Sequence, residues 1–258
     1  MLESVQAIRY VTPLREGGSL PGIVEADDLG TYVLKFRGAG QGPKVLVAEV
    51  IVGELGRALG IPVPELRAVQ LDAQIARYEA DEEVQDLLTA SVGLNLGVDF
   101  LPASFGYDGS APPPPELASR ILWLDAYTAN VDRTWSNPNL LTWHGNTWCI
   151  DHGAALYFHH SWPSKGSRPE VFAAQPFDAS THVLRDVATE VEALDSTLSQ
   201  QVSEALLHEV VAQVPEDWLE PAPGLDDPGA VRSAYVDNLL ARLAGGRPWL
   251  PRFEEAAS

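Results

Sequence analysis

Lysine is almost missing from this sequence. Of its 17 basic residues only Lys35, Lys44 and Lys165 are lysines, and arginine supplies the rest. Positive charge is scarce altogether: 36 acidic residues leave a net charge of −19, which argues against nucleic acid or an anionic membrane as a major partner, since both would be repelled. A single cysteine, Cys149, excludes an internal disulfide and is expected to be buried in a strand. No apolar run is long enough to span a bilayer, and Met1 is not followed by a basic-then-apolar leader, so the expectation is a cytoplasmic chain without membrane insertion. What is present is enough for a sizeable core. The 258 residues are 45% hydrophobic, which suits one large globular domain or two lobes, and no internal repeat is visible.

The chain is organised around the stretch from Asn130 to Leu156. Asn130-Val131-Asp132-Arg133 is followed by Asn137, Pro138 and Asn139 in what reads as a loop. Two short apolar runs, Leu140–Trp143 and Thr147–Ile150, flank His144-Gly145-Asn146 and read as a hairpin. Asp151 follows directly, and the hairpin brings it back beside Asp132 and Asn137. Two carboxylates and an amide oxygen suit Mg²⁺ and a hydroxyl proton, the needs of phosphoryl transfer. An isolated Asp-x4-Asn has almost no specificity, because Asp and Asn favour turns anyway. The ordered set carries more: Asp-x4-Asn, a hairpin, then Asp151-His152-Gly153 is the order of a kinase catalytic loop and metal-binding motif. Its wording, with Asp132-Arg133 and then Asn137, resembles the HipA-like kinases and, more distantly, type II phosphatidylinositol 4-kinases.

The amino-terminal half fits that order. Gly17-Gly18-Ser19 lies in a Gly-containing loop, and Thr31-Tyr-Val-Leu-Lys35-Phe36 reads as a strand carrying one of the three lysines. Val45 to Leu59 reads as a helix with an apolar stripe, stopped by Gly60. Glu49, one turn in, is the better partner for Lys35, with Glu54 the alternative. Leu66–Leu71 reads as a strand and Glu79–Ser91 as a helix broken by Gly93 to Gly97; Val98 to Ala103 then reads as an extended connection. After the proline-rich stretch to Pro115, a helix over Glu116–Asn130 delivers the catalytic loop. Beyond Leu156, Tyr157 to Pro169 reads as a mobile loop, and helices are expected at about Val183–Asp195, Ser196–Ala212 and Gly229–Ala244.

The resemblance implies an α+β, bilobal protein-kinase-like fold: a small β-rich lobe with one long helix over residues 1–103, and a mostly helical lobe over 104–258. It implies that ATP and Mg²⁺ are the cofactors and that Asp132 is the base or hydroxyl-orienting residue. Asn137 and Asp151 would hold the metal. Lys35, held by Glu49, and the Gly17-Gly18-Ser19 loop would bind phosphates, with Phe100 and Leu101 beside adenine. The acceptor stays open between a protein Ser/Thr hydroxyl and a small molecule or lipid head group. A nucleotide-binding regulatory module without turnover is the reading from a different class.

Overall fold

The computed structural model describes residues 1–15, 20–40, 42–77 and 79–253. The first hundred residues form five strands in a closed barrel: β1 (Ser4–Pro13), β2 (Gly22–Ala26), β3 (Thr31–Lys35), β4 (Leu66–Leu71) and β5 (Gly93–Asp99). Neighbours are antiparallel except β1 and β4, whose parallel pairing of Val5 with Val69 closes the ring. Irregular register along β1 bends it enough to reach both partners. Alternate residues Val24 and Ala26, Tyr32 and Leu34, and Val69 and Leu71 point inward.

Helix α1 (Pro43–Ala58) lies between β3 and β4, and helices α2 (Ala73–Ala76) and α3 (Glu82–Ala90) between β4 and β5. The apolar stripe expected on α1 is buried, and its other face is buried with it: every residue from Leu46 to Gly53 is buried, with exposure returning only at Arg57 and Ala58. Val84 and Leu88 of α3 join the barrel interior, whereas Leu66, Ala68, Leu96 and Val98 face the larger core shared with α1. The stretch from Gly93 to Gly97, read as a break, is strand β5 instead. Gly97 sits where a Cβ would meet Val69 Cγ2 at 2.5 Å, so its glycine serves close packing. Asn95 is fully buried and satisfied, donating to the Ser91 and Gly93 carbonyls and accepting from Arg37 N at 2.9 Å.

Past the barrel, the two-residue strand β6 (Phe105–Gly106) pairs with the hairpin β7 (Leu140–Trp143) and β8 (Asn146–Cys149). Helix α4 (Pro115–Thr128) starts with proline in its first turn and ends at Ala129 in the left-handed region. The rest is helical: a 3₁₀ turn (Tyr157–Ser161), α5 (Trp162–Lys165), α6 (Pro169–Ala174), α7 (Val191–Gln201), α8 (Glu204–Val211) and α9 (Pro228–Ala244). The expected mobile loop at 157–169 therefore carries helical turns, anchored by buried His159 and Trp162. The two helices expected over 183–212 divide differently. Thr181 to Thr189 runs as turns, and Ser203 caps α8 by accepting from Leu206 N. One apolar core runs from Leu2 to Trp249, through α1, α4 and α9. Among the described residues, no helix is long and apolar enough to cross a membrane.

Candidate active site

Lys35 ends β3, Glu49 lies on the buried face of α1, and Asp151 follows the β7–β8 hairpin; these three residues meet. Lys35 Nζ donates to Glu49 Oε1 at 2.5 Å and to Asp151 Oδ1 at 2.8 Å. Glu49 is 2% exposed and takes a further hydrogen bond from His152 N at 3.0 Å. Glu54 turns instead towards Arg57, 3.9 Å away. Burial works against the Lys35 ammonium, but Glu49 and Asp151 outweigh it and hold its basicity above the ordinary range. Burial pushes the Glu49 carboxyl up to about 7 against the pull of Lys35; burial opposes the Asp151 charge too, but Lys35 outweighs it there and holds that carboxyl well below the carboxylate range. Asp151 sits at φ 57, a left-handed conformation that Asp tolerates, and Gly153 next to it allows α1 to approach.

The loop before the hairpin gathers a second group. Asn137 Nδ2 donates to Asp132 Oδ2 at 2.7 Å, and Asn139 Nδ2 reaches the same oxygen at 3.5 Å. Asn137 thereby spends its amide nitrogen on Asp132, which leaves Oδ1 as its oxygen donor.

Arg133 ties the two groups together. Its side chain is fully buried and bonds Asp125 of α4 through Nε at 2.5 Å and Nη2 at 3.3 Å. Nη1 donates to the carbonyls of Asn139 and Ile150, so one guanidinium fixes both the Asp132 loop and the approach to Asp151. Nη2 also faces His152 Nδ1 at 3.3 Å. Asp125 accepts further from Asn130 Nδ2 at 2.9 Å and pairs with His182 Nε2 at 3.1 Å. Because His182 Nδ1 accepts from Leu184 N, Nε2 carries the proton. Burial opposes the Asp125 charge, but Arg133 and His182 outweigh it and keep the carboxyl far below its usual range.

Phe100 and Leu101 belong to the connection leaving β5. Phe100 N donates to Thr31 O at 3.0 Å, Leu101 O accepts from Ser104 N at 3.2 Å, and Trp143 Nε1 donates to Pro102 O at 2.9 Å. These bonds tie the connection to β3 and the hairpin rather than to the Lys35 cluster. Gly17, Gly18 and Ser19 lie outside the described residues; the strands on either side close by Leu14 N donating to Pro21 O. Sequence reading missed Asp125 and His182. Asp125 did leave a signal, a carboxylate inside the apolar run Ile121 to Tyr127, whereas His182 left none. His159 and His160 pair with each other, Nε2 to Nε2 at 3.2 Å with their rings nearly perpendicular, and His159 Nδ1 bonds the Tyr235 hydroxyl. Among the described residues, no three His, Cys, Asp or Glu side chains gather in a metal-binding cluster.

The family model for HipA-like kinases matches residues 7–250, nearly the whole chain. The chain belongs to the HipA-like kinase family. As a member it is a kinase-type phosphotransferase. Among solved structures, this HipA-like kinase is similar to the Helicobacter pylori proinflammatory kinase CtkA, at 11% identity and a TM-score of 0.46 over 92% of this chain and 94% of that one. It is similar also to the Golgi casein kinase with Mn/ADP bound, at 12% identity and a TM-score of 0.42 over 94% of this chain and 72% of that one. Among curated proteins none matches significantly.

Proposed function

We propose that this HipA-like kinase is a bilobal, cytoplasmic, ATP- and Mg²⁺-dependent enzyme that phosphorylates a Ser or Thr hydroxyl on a protein. The barrel half, residues 1–103, would be the smaller lobe, and residues 104–258 the larger. The observation that carries the reading is the convergence of Lys35, Glu49 and Asp151 from three separate elements, beside a loop in which Asp132 and Asn137 share a hydrogen bond. The donor set fits the implied metal: Asn137 Oδ1 and the half-exposed Asp151 carboxylate are hard oxygens of the kind Mg²⁺ takes, with waters and phosphate oxygens completing its shell. When bound, MgATP supplies the transferable phosphoryl group and screens its charge.

This chain's own residues do the rest. Lys35, held in place by Glu49, offers its ammonium to phosphate oxygens. Asp132 orients the acceptor hydroxyl and receives its proton, while Asn137 fixes the carboxylate by donating to Oδ2. Arg133 takes no proton; it keeps the Asp132 loop in register with Asp151.

The test is a divergence between binding and turnover. Asp132→Ala should leave MgATP affinity by calorimetry nearly unchanged and lower phosphate transfer or ATP hydrolysis by about 10²–10⁴-fold. Lys35→Met should weaken nucleotide binding itself, and Asp151→Asn should remove the gain in ATP affinity that Mg²⁺ confers. Equal turnover in wild type and Asp132→Ala would remove Asp132 from the chemistry. A wild type that binds MgATP but transfers phosphate neither to itself nor to any acceptor would be a regulatory module.

A further inference from the structure

The loop that carries Asp132 has little of its own to hold it. Asp132, Trp135, Ser136 and Asn137 are exposed, whereas Arg133 and Asn139 are buried. Among the described residues, the Asp132 carboxylate accepts from Asn137 and Asn139 alone, and both belong to the same loop. Arg133 is the loop's buried anchor, and Arg133 is only as well placed as the Asp125 carboxylate it grips.

Both oxygens of Asp125 are filled. Oδ1 accepts from Asn130 Nδ2 at 2.9 Å and Arg133 Nη2 at 3.3 Å, and Oδ2 from Arg133 Nε at 2.5 Å and His182 Nε2 at 3.1 Å. The side chain is fully buried, so an acceptor site left empty costs free energy and frees the carboxylate to turn. Of these partners, His182 alone comes from a distant stretch of chain. It arrives on a segment strapped along the loop: Thr134 and His182 form an antiparallel bridge, and Val183 N donates to Arg133 O at 3.0 Å. Val183 and Leu184 are buried in the core and anchor the strap.

We propose that His182 is a positioning residue for phosphate transfer: through Asp125 and Arg133 it sets where the Asp132 carboxylate stands; this rests on the phosphotransferase reading above. Asp151 is held separately, by Lys35 from β3. Losing the His182 bond therefore displaces Asp132 and leaves the residues that face the nucleotide in place.

Two substitutions separate this role from ordinary packing. In His182→Asn the shorter side chain still accepts from Leu184 N, the bond that His182 Nδ1 makes at 3.1 Å, but no longer reaches Asp125. In His182→Gln an amide N–H reaches Asp125 again. Steady-state ATP hydrolysis by the full chain should show kcat falling in His182→Asn by up to about 10²-fold, as a misplaced catalytic group costs, with MgATP affinity by calorimetry unchanged. His182→Gln should recover most of that loss. In an Asp132→Ala background His182→Asn should cause no further loss, since the group it places is gone. Amide hydrogen exchange over residues 131–139, measured without nucleotide, should be faster in His182→Asn than in wild type. His182→Leu, which fills the space and offers no N–H, gives the same reading should His182→Asn not fold. A lower melting temperature with kcat unchanged, a loss that Gln does not recover, or an equal loss in the Asp132→Ala background would overturn the proposal. The exchange measurement separates it from the kinase reading. If wild type hydrolyses no ATP but exchange over 131–139 rises in His182→Asn, His182 positions the loop all the same and the kinase reading falls. If wild type turns over and His182→Asn matches it in rate and exchange, the kinase reading stands and the positioning role falls.

Discussion

His152 shows how far burial alone can move a side chain's chemistry. It is 1% exposed, and burial, reinforced by Arg133, lowers its basicity to about 3. With Nδ1 facing Arg133, the imidazole stays neutral in the folded chain. The unfolded chain's histidine takes a proton below about 6.5, so between those values the unfolded state binds more protons. Stability from His152 is therefore complete above about pH 6.5 and is lost as pH falls towards 3, an effect on the order of 5 kcal/mol. Asp151, held low by Lys35, adds loss in the same direction at lower pH; Glu49, pushed up to about 7, works the other way. Melting temperatures of wild type and His152→Gln measured from about pH 7 to pH 4 should diverge, with the variant falling less steeply. Parallel curves would mean that His152 takes its proton as readily in the folded chain as in the unfolded one.

At the scale of elements, the contact between α1 and the Asp151 loop is the tightest demand the site makes. A Cβ on Gly153 would stand 2.5 Å from Val45 Cγ1 and 3.1 Å from Glu49 Oε1. Because every residue of α1 from Leu46 to Gly53 is buried, the helix cannot retreat, and the strain falls on the loop. Gly153→Ala should cost about 1–3 kcal/mol in denaturant unfolding and weaken MgATP binding with it, since Glu49 and Asp151 can no longer share Lys35. Unchanged stability and affinity would show that the loop moves aside freely. The same crowding explains why the pattern of α1 tells only half of its burial: periodicity marks the apolar stripe and is silent on what packs against the other face. For β5 the sign is reversed. Its glycines read as breakers because the close approach of Val69 and the Arg37 N that donates to Asn95 come from elsewhere in the chain.

For the molecule as a whole, the core joins the barrel side to the helices without interruption. Leu2 N donates to Gln213 O at 3.1 Å, Cys149 N to Pro62 O at 2.8 Å, and Trp218 Nε1 to Leu94 O at 3.0 Å. All seven tryptophans lie from Trp123 onwards, so their fluorescence reports the second half and, through Trp218, its contact with β5, whereas far-UV circular dichroism reports the barrel strands directly. Because Leu66, Ala68, Leu96 and Val98 of the barrel belong to the larger core that the helices build, the two thermal transitions should coincide even though the barrel interior is a cluster of its own. A fluorescence midpoint separated from the dichroism midpoint would show the barrel unfolding by itself.

The order of the chemistry-bearing residues and the elements that carry them follow from the linear pattern of the chain. A lone lysine in a β-rich run, a long apolar helix with Glu49, and Asp132, Asn137 and Asp151 around a hairpin are local patterns, and local patterns survive in one dimension. The choice of Glu49 over Glu54 needed the packed structure, because both lie on one helix and only its rotation against β3 separates them. So did the Asp125–Arg133–His182 network: its members are spread from residue 125 to 182, and burying such charges is tolerable only where each finds its partner. The closure of β1 on β4 and the bridge of His182 to Thr134 were likewise decided in three dimensions, since each joins segments that nothing in the linear pattern connects.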